Sequence, residues 1–394
     1  MIDRQSAGLL PAKPHTVCRD PEGKLLYEEM FTRGGFSGAF TYFYHRHPVT
    51  PHREVAGTKR GYPTPVVDPA AHEPLRRRLY LSDGIAAGGQ LLDRRVPILF
   101  NANLTVLLAR PTESDDAYFA NGDGDELWFV HEGAARLESS CGWLDVKAGD
   151  YVWVPKGLLH RWHLASPEMR LICFESRGQK GIFVPASFRN PVGQLKMDAP
   201  YTHRDFVHPV GPIATLDKAQ DGPRELLVKK SGVYTRYALE RPPMDVLGWD
   251  GFVYPFAFAI EKFQPKTGLI HLPPTVHATF EAEGFLVCSF VPRVTDFHPQ
   301  AIPCPYPHSS VDCDEVILYL RGNFTSRRGV GPGAISLHPS GIAHGPHPGA
   351  YEASIGATRT DELAVMIDTF SPLLPTLQAA NIEEASYHES WRTE

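Results

Sequence analysis

His308, Glu315 and His344 are the residues best suited to chemistry. They lie in the stretches His308-Ser-Ser-Val-Asp-Cys-Asp-Glu315 and Pro339-Ser-Gly-Ile-Ala-His344. Two imidazoles and one carboxylate can hold Fe(II) on one face and leave the opposite positions free for substrate and oxygen. The competing reading makes the same three side chains a buried polar network.

The pattern around them occurs twice. Glu126 precedes Gly133 by seven residues, as Glu315 precedes Gly322. Gly149, Pro155, Gly157 and His160 repeat the G-x5-P-x-G-x2-H spacing of Gly333, Pro339, Gly341 and His344. The first pair recurs at an offset of 189 residues and the second at 184, so the chain reads as two copies of one unit with a loop five residues shorter in the second.

Strands must position these groups, because side chains two apart on a strand share a face and a hairpin returns a distant residue beside them. Short apolar runs bounded by Gly, Asp and Pro supply such strands: Leu104–Leu108, Glu126–Val130, Arg136–Glu138, Tyr151–Val154 and Arg170–Phe174, then Phe256–Ile260, Phe285–Phe290 and Val316–Leu320. With 34 Gly and 36 Pro in 394 residues, the composition favours tight turns over long helices. The expected fold is mainly β, two tandem jelly-roll barrels with an amino-terminal β-rich extension and few short helices.

The expected division is a β-rich wrap over 1–100, a metal-free first barrel over 101–190, a linker over 191–240, a second barrel with the iron site over 241–370 and a tail over 371–394. Leu226–Gly232 in the linker suggests loops and an edge strand. After Glu362–Phe370 a last strand and a short packing helix are expected. In the first barrel Phe119 and Asn121 stand where early ligands would be, so Glu126 and His160 are expected to be satisfied by hydrogen bonds. His45-Arg-His47, with Glu54 and Gly61, imitates a metal site, but its Pro-rich surroundings favour a polar loop or pocket rim.

A net charge of −6 without a basic stripe argues against nucleic acid or a membrane surface as partner and for a small molecule. Cysteines 18, 141, 173, 288, 304 and 313 show no C-x-x-C spacing and read as reduced thiols of a cytoplasmic protein. No run approaches a membrane-spanning length, and no apolar core follows Met1-Ile-Asp-Arg-Gln.

The paired motifs resemble the cupin superfamily. Read on its pattern, His308 is the first histidine, Ser310 replaces the second, Glu315 is the carboxylate and His344 the late histidine. Gly248-Trp-Asp-Gly251, His271, Phe290-Val-Pro-Arg293, Arg321-Gly322 and Ser336-Leu-His338 resemble, more narrowly, the homogentisate 1,2-dioxygenase family of bicupins. The resemblance implies Fe(II) held by His308, Glu315 and His344, and His271 as the pocket histidine for acid–base work on a substrate hydroxyl. It also implies His338 lining the site and a trimer or hexamer of the chain. From the residues alone, His271 between apolar neighbours is more often a satisfied core group.

The substrate is then a para-dihydroxylated aromatic opened with both atoms of O2, homogentisate to maleylacetoacetate first. The family has a carboxylate-holding tyrosine where this chain has Phe324, so a substrate carboxylate needs another cation or donor among Arg293, Arg327, Arg328, Asn323 and Tyr306, with Asn323 and Tyr306 ranked first by proximity. Gentisate, a hydroquinone or another phenol is the alternative substrate. A bicupin that binds or isomerises a small molecule without oxygen chemistry is the alternative class.

Overall fold

The computed structural model describes residues 2–54, 65–66, 74–178, 180–212, 224–309, 311–324 and 326–392. Gly61 and Ser310, both named above, lie outside the described residues. The chain is mainly β and folds as two tandem cupin-type barrels; among the described residues the α-helices are two single turns, Ala350–Ala353 and Leu377–Ala380. No helix is long and apolar enough to cross a membrane.

Two large sheets pack back to back. The first runs through Asp150–Val154, Glu126–Glu132, Arg170–Ser176, Leu104–Ala109 and Val96–Phe100. The second runs through Ala278–Ala282, Phe285–Phe290, Leu363–Thr369, Asp314–Arg321 and Ala334–His338. Val106, Leu127, Phe129, Ile172 and Phe174 of one share a single core with Val287, Val316, Leu318, Ile335 and Ile367 of the other. Across this seam the Tyr151 ring lies 5.5 Å from Phe280 and its hydroxyl meets Ser289 Oγ at 2.9 Å.

This seam decides where the polar residues go. Side chains alternate along a strand, so burying Val316, Leu318 and Leu320 in the seam turns Glu315, Ile317 and Tyr319 to the inside of the second barrel. By the same alternation, Leu127 and Phe129 face the seam while Glu126 and Trp128 face the inside of the first.

The halves exchange edges. Ile182–Phe183 extends the second sheet beside Ala278–Ala282, and Phe256–Ala259 extends the first beside Asp150–Val154. Arg78–Leu81, from the amino-terminal hundred residues, pairs with Ala334–His338, and Leu374–Pro375 pairs with Val96–Phe100. A further sheet joins Gln5–Gly8, Val246–Gly251, Phe40–His45 and Tyr27–Thr32.

The expected edge strand near 226–232 is instead an inner one. Arg224–Lys230 lies between Tyr118–Asn121, parallel to it, and the antiparallel Val233–Leu239. Both of its faces are used: Leu227 packs with Phe119 and Tyr234, while Leu226 packs with Tyr118 and Met244.

Candidate metal centre

Each residue of the triad is placed by a different device. Glu315 opens the strand Asp314–Arg321 and sits in register with His338 of the neighbouring strand and with Asp368 on the other side. His344 follows the Pro339-Ser-Gly341 turn, where Gly341 has a φ of 88°; Gly157 in the first copy has 84°. Those left-handed values explain the glycine of the motif. His308 comes from a loop and is locked to His344 by a two-bond bridge, His308 N donating to His344 O at 2.8 Å and His344 N to His308 O at 2.9 Å.

One ligand atom from each of His308, Glu315 and His344 falls within 4.8 Å of the others. Donors sharing one ion through bonds of about 2.1 Å lie at most about 4.2 Å apart. The 3.9 Å between His344 Nε2 and Glu315 Oε2 meets this, and the widest separation allowed needs only a sub-ångström shift. His344 Nε2 is buried without a hydrogen-bond partner, as a ligand atom would be.

The carboxylate is held from one side. Glu315 Oε1 takes His338 Nδ1 at 2.7 Å and has Arg327 Nη2 at 3.6 Å, which leaves Oε2 toward His344. Burial alone would raise the Glu315 pKa, but the His338 hydrogen bond and the nearby Arg327 hold it at about 2. Burial and the Arg327 charge push His338 down to about 4, so it stands neutral and donates through Nδ1. The ligand set is therefore charged before any ion arrives.

The remaining predicted residues divide into two groups. His271 is exposed and lies 5.1 Å, ring to ring, from Tyr306, and both border a cavity of about 260 Å³ that reaches His308. His338 is fully buried behind Glu315 and does not line that cavity. Asn323 is exposed, its backbone N donating to Asp361 Oδ1, and Phe324 packs 4.8 Å from the Tyr319 ring in a small apolar cluster. The structure thus brings His271 and Tyr306 to the cavity that His308 borders and places Asn323 and Phe324 elsewhere.

Two neighbours escaped the sequence reading. His277 lines the same cavity, 4.7 Å from Phe290, and burial pushes its pKa down to about 3. Arg327, weighed above only among general anion donors by its type, is the buried cation beside Glu315. It lies in a loop with no periodicity, so nothing in the sequence aims it there.

In the first barrel the matching glutamate is paired with a guanidinium. Arg95 pairs with Glu126 and lies 4.4 Å from the centre of the Phe119 ring and 5.1 Å from that of Trp128. Asn121 donates to Glu126 at 2.8 Å and to Glu175 at 2.7 Å, and Glu175 pairs with Lys229. Two buried carboxylates are thereby matched by two buried cations. His160 donates through Nδ1 to Leu158 O at 2.9 Å, while its Nε2 has no partner.

The His45-Arg-His47 motif borders a larger cavity, about 640 Å³, on the outside of the first barrel. His45 is buried, with Nδ1 2.7 Å from Asp245 and Nε2 3.0 Å from Glu29, so neither nitrogen is free for an ion. Burial lowers its pKa, but the two carboxylates outweigh that and raise it to about 9 from 6.5. A raised folded-state pKa stabilises fully below the unfolded value and loses its effect as pH passes the folded one. The midpoint of unfolding is therefore expected to fall from about pH 6.5 to about pH 9 in the wild type, and this slope should vanish in His45→Asn, as thermal melts across that range would show.

Fold and geometry together give a bicupin whose second barrel brings two histidines and one carboxylate close enough to be a candidate metal site. A family model described as homogentisate 1,2-dioxygenase N-terminal matches residues 99–260. The chain is 36% identical, over 100% of both lengths, to "Putative dioxygenase SSO1533" of Saccharolobus solfataricus. It is 28% identical to homogentisate 1,2-dioxygenase of Bradyrhizobium diazoefficiens over 70% of this chain, and spans 63% of that enzyme's length. The corresponding Pseudomonas putida enzyme is 26% identical over 74% of this chain and 69% of its own. A cupin 2 conserved barrel domain protein from Leptotrichia buccalis aligns over 70% of this chain and 88% of its own with a TM-score of 0.32 and 9% identity. The chain belongs to the same family as the Saccharolobus solfataricus putative dioxygenase.

Proposed function

We propose that the protein is an Fe(II)-dependent ring-cleaving dioxygenase acting on a para-dihydroxylated aromatic, with homogentisate as the first candidate. The observation that carries this reading is the one-sided hold on Glu315. With Oε1 engaged by His338 and Arg327, only Oε2 is offered with the His308 and His344 rings. Three single-atom ligands leave room for a two-point substrate and dioxygen together. When bound, Fe(II) supplies the path by which electrons of the ring reach O2.

The chain's own residues do the rest. His271 and Tyr306 border the cavity beside His308, where an imidazole can accept the phenolic proton and a phenol can hold the ring oxygen. Phe290 and the apolar side of the His277 pocket exclude water from one wall. Arg293, on the same wall, is tied to Glu362 at 3.0 Å and to Val291 O at 3.2 Å, which fixes a guanidinium where a substrate carboxylate can approach. The first barrel, with Arg95 set against Glu126, is assigned a supporting role.

A second reading keeps the chemistry and changes the substrate to gentisate or a hydroquinone. Within it the hydroquinone, which carries no carboxylate, is favoured by Phe324, whose ring packs on Tyr319 and has no hydroxyl to offer one. Oxygen consumption by the Fe(II)-loaded protein separates the readings. Uptake with homogentisate supports the first, uptake with uncharged hydroquinones or gentisate alone supports the second, and no uptake with any of these phenols removes ring cleavage in favour of a bicupin without oxygen chemistry.

A further inference from the structure

We infer that Trp391, together with Arg77, positions His344, so that the metal affinity of the second barrel depends on the segment 382–392. The inference rests on reading His308, Glu315 and His344 as a metal centre.

The path of that segment is set by the sheet. Leu81 N donates to Ile382 O and Glu384 N to Leu79 O, both at 2.8 Å, which adds the segment to the strand Arg78–Leu81. Glu383 is fixed there by Arg76 at 2.9 Å and Arg78 at 2.8 Å. The 3-10 turn Tyr387–Trp391 then carries two aromatic rings, 5.0 Å apart and perpendicular, against the loop that bears His344.

There Trp391 makes two kinds of contact. Its ring stacks on His347 at 3.7 Å, and its Nε1 donates to Gly345 O at 3.3 Å. His347 is itself fixed in one tautomer, Nε2 donating to Ser390 Oγ at 2.7 Å and Nδ1 accepting from Arg328 N at 3.2 Å. The Arg77 guanidinium lies 4.6 Å from the Trp391 ring centre and donates to Ala343 O at 2.9 Å. Arg327 also donates to Gly345 O, at 2.9 Å.

The carbonyls of the residues on both sides of His344 are therefore held, Ala343 O by Arg77 and Gly345 O by Trp391 and Arg327, while the backbone of His344 itself is paired with His308. This matters because the ring has no hydrogen bond at Nε2 to aim it. Its direction is inherited from the backbone and from packing on His308 and His338, at 4.3 and 5.4 Å. Supporting groups of this kind are worth about 10–100-fold in metal affinity.

The test is Co2+ binding to the full metal-free chain, read by titration calorimetry and by the visible spectrum of bound Co2+. Trp391→Ala is expected to weaken Co2+ binding by about 10–100-fold and to shift the spectrum, with Trp391→Phe, which keeps the stacking and loses the N–H, falling between it and wild type. Arg77→Met, a change at a half-buried side chain, should move affinity the same way by about 10-fold and covers the case in which Trp391→Ala does not fold. A merely structural role would lower the unfolding midpoint but leave affinity and spectrum unchanged. If wild type binds Co2+ and both Trp391→Phe and Arg77→Met bind it within about twofold with the same spectrum, the inference is overturned and the centre stands. If wild type takes up no Co2+, the metal reading fails and takes the inference with it.

Discussion

Glu315→Gln is expected to lose divalent-metal binding while keeping the fold. Binding free energies for complete protein ligand sets run on the order of 10–16 kcal/mol, so losing one of three ligands removes about 4 kcal/mol, or about 10³-fold in affinity. The glutamine keeps an oxygen for His338 Nδ1, so the buried histidine is not orphaned, and only the charge disappears. Glu315→Ala goes further. It also removes the oxygen that takes His338 Nδ1, leaving a buried donor unsatisfied, and should lower stability as well as affinity. Metal content by mass spectrometry and oxygen uptake check the first effect, and denaturant unfolding the second. Unchanged metal content in Glu315→Gln would return the triad to the status of a buried polar network.

Arg95→Met is expected to be the most destabilising single change in the first barrel. Arg95 is fully buried and faces Glu126, also fully buried. Removing one partner of such a pair costs about 3–5 kcal/mol, because the surviving charge is left uncompensated. The cost should depend on pH with a definite sign. In the wild type, burial would raise Glu126 but Arg95, His160 and Asn121 outweigh it and hold the pKa at about 2, below the 4.5 of the free group. That contribution is present above about pH 4.5 and is lost as pH falls toward 2. Without Arg95 the folded-state pKa rises, so the gap between variant and wild type should be widest near neutrality and narrow below about pH 4.5. Denaturation midpoints of variant and wild type that stay parallel as pH is lowered from 7 to about 2 would contradict the pairing of Arg95 with Glu126 as the source of the effect.

Much of the fold was legible because it rests on local rules. The runs at Leu104, Glu126, Tyr151, Arg170, Phe285 and Val316 all lie within strands of the structure, since period-two patterns bounded by Gly and Pro leave few alternatives. The inner placement of Arg224–Lys230 was not legible. Whether a strand has one neighbour or two depends on which strands pair with its two edges, and one of the two here, Tyr118–Asn121, lies about a hundred residues away in the chain. The sharing of edges between the halves was hidden for the same reason, since strand pairs as far apart as Arg78–Leu81 and Ala334–His338 leave no periodic trace.

By itself the sequence determined the duplication, the identity of His308, Glu315 and His344 as the candidate ligands, and which copy carries them, because these depend on residue type and spacing alone. Only the tertiary structure decided that Glu315 offers one oxygen, that His338 stands behind it and outside the cavity, and that Phe324 turns toward Tyr319. It alone decided that Arg95 pairs with Glu126 in the first barrel. The physical reason is range: a strand's alternation fixes which face a side chain uses, but its charge partner is chosen by whichever distant loop or strand the packed sheets bring within a few ångströms.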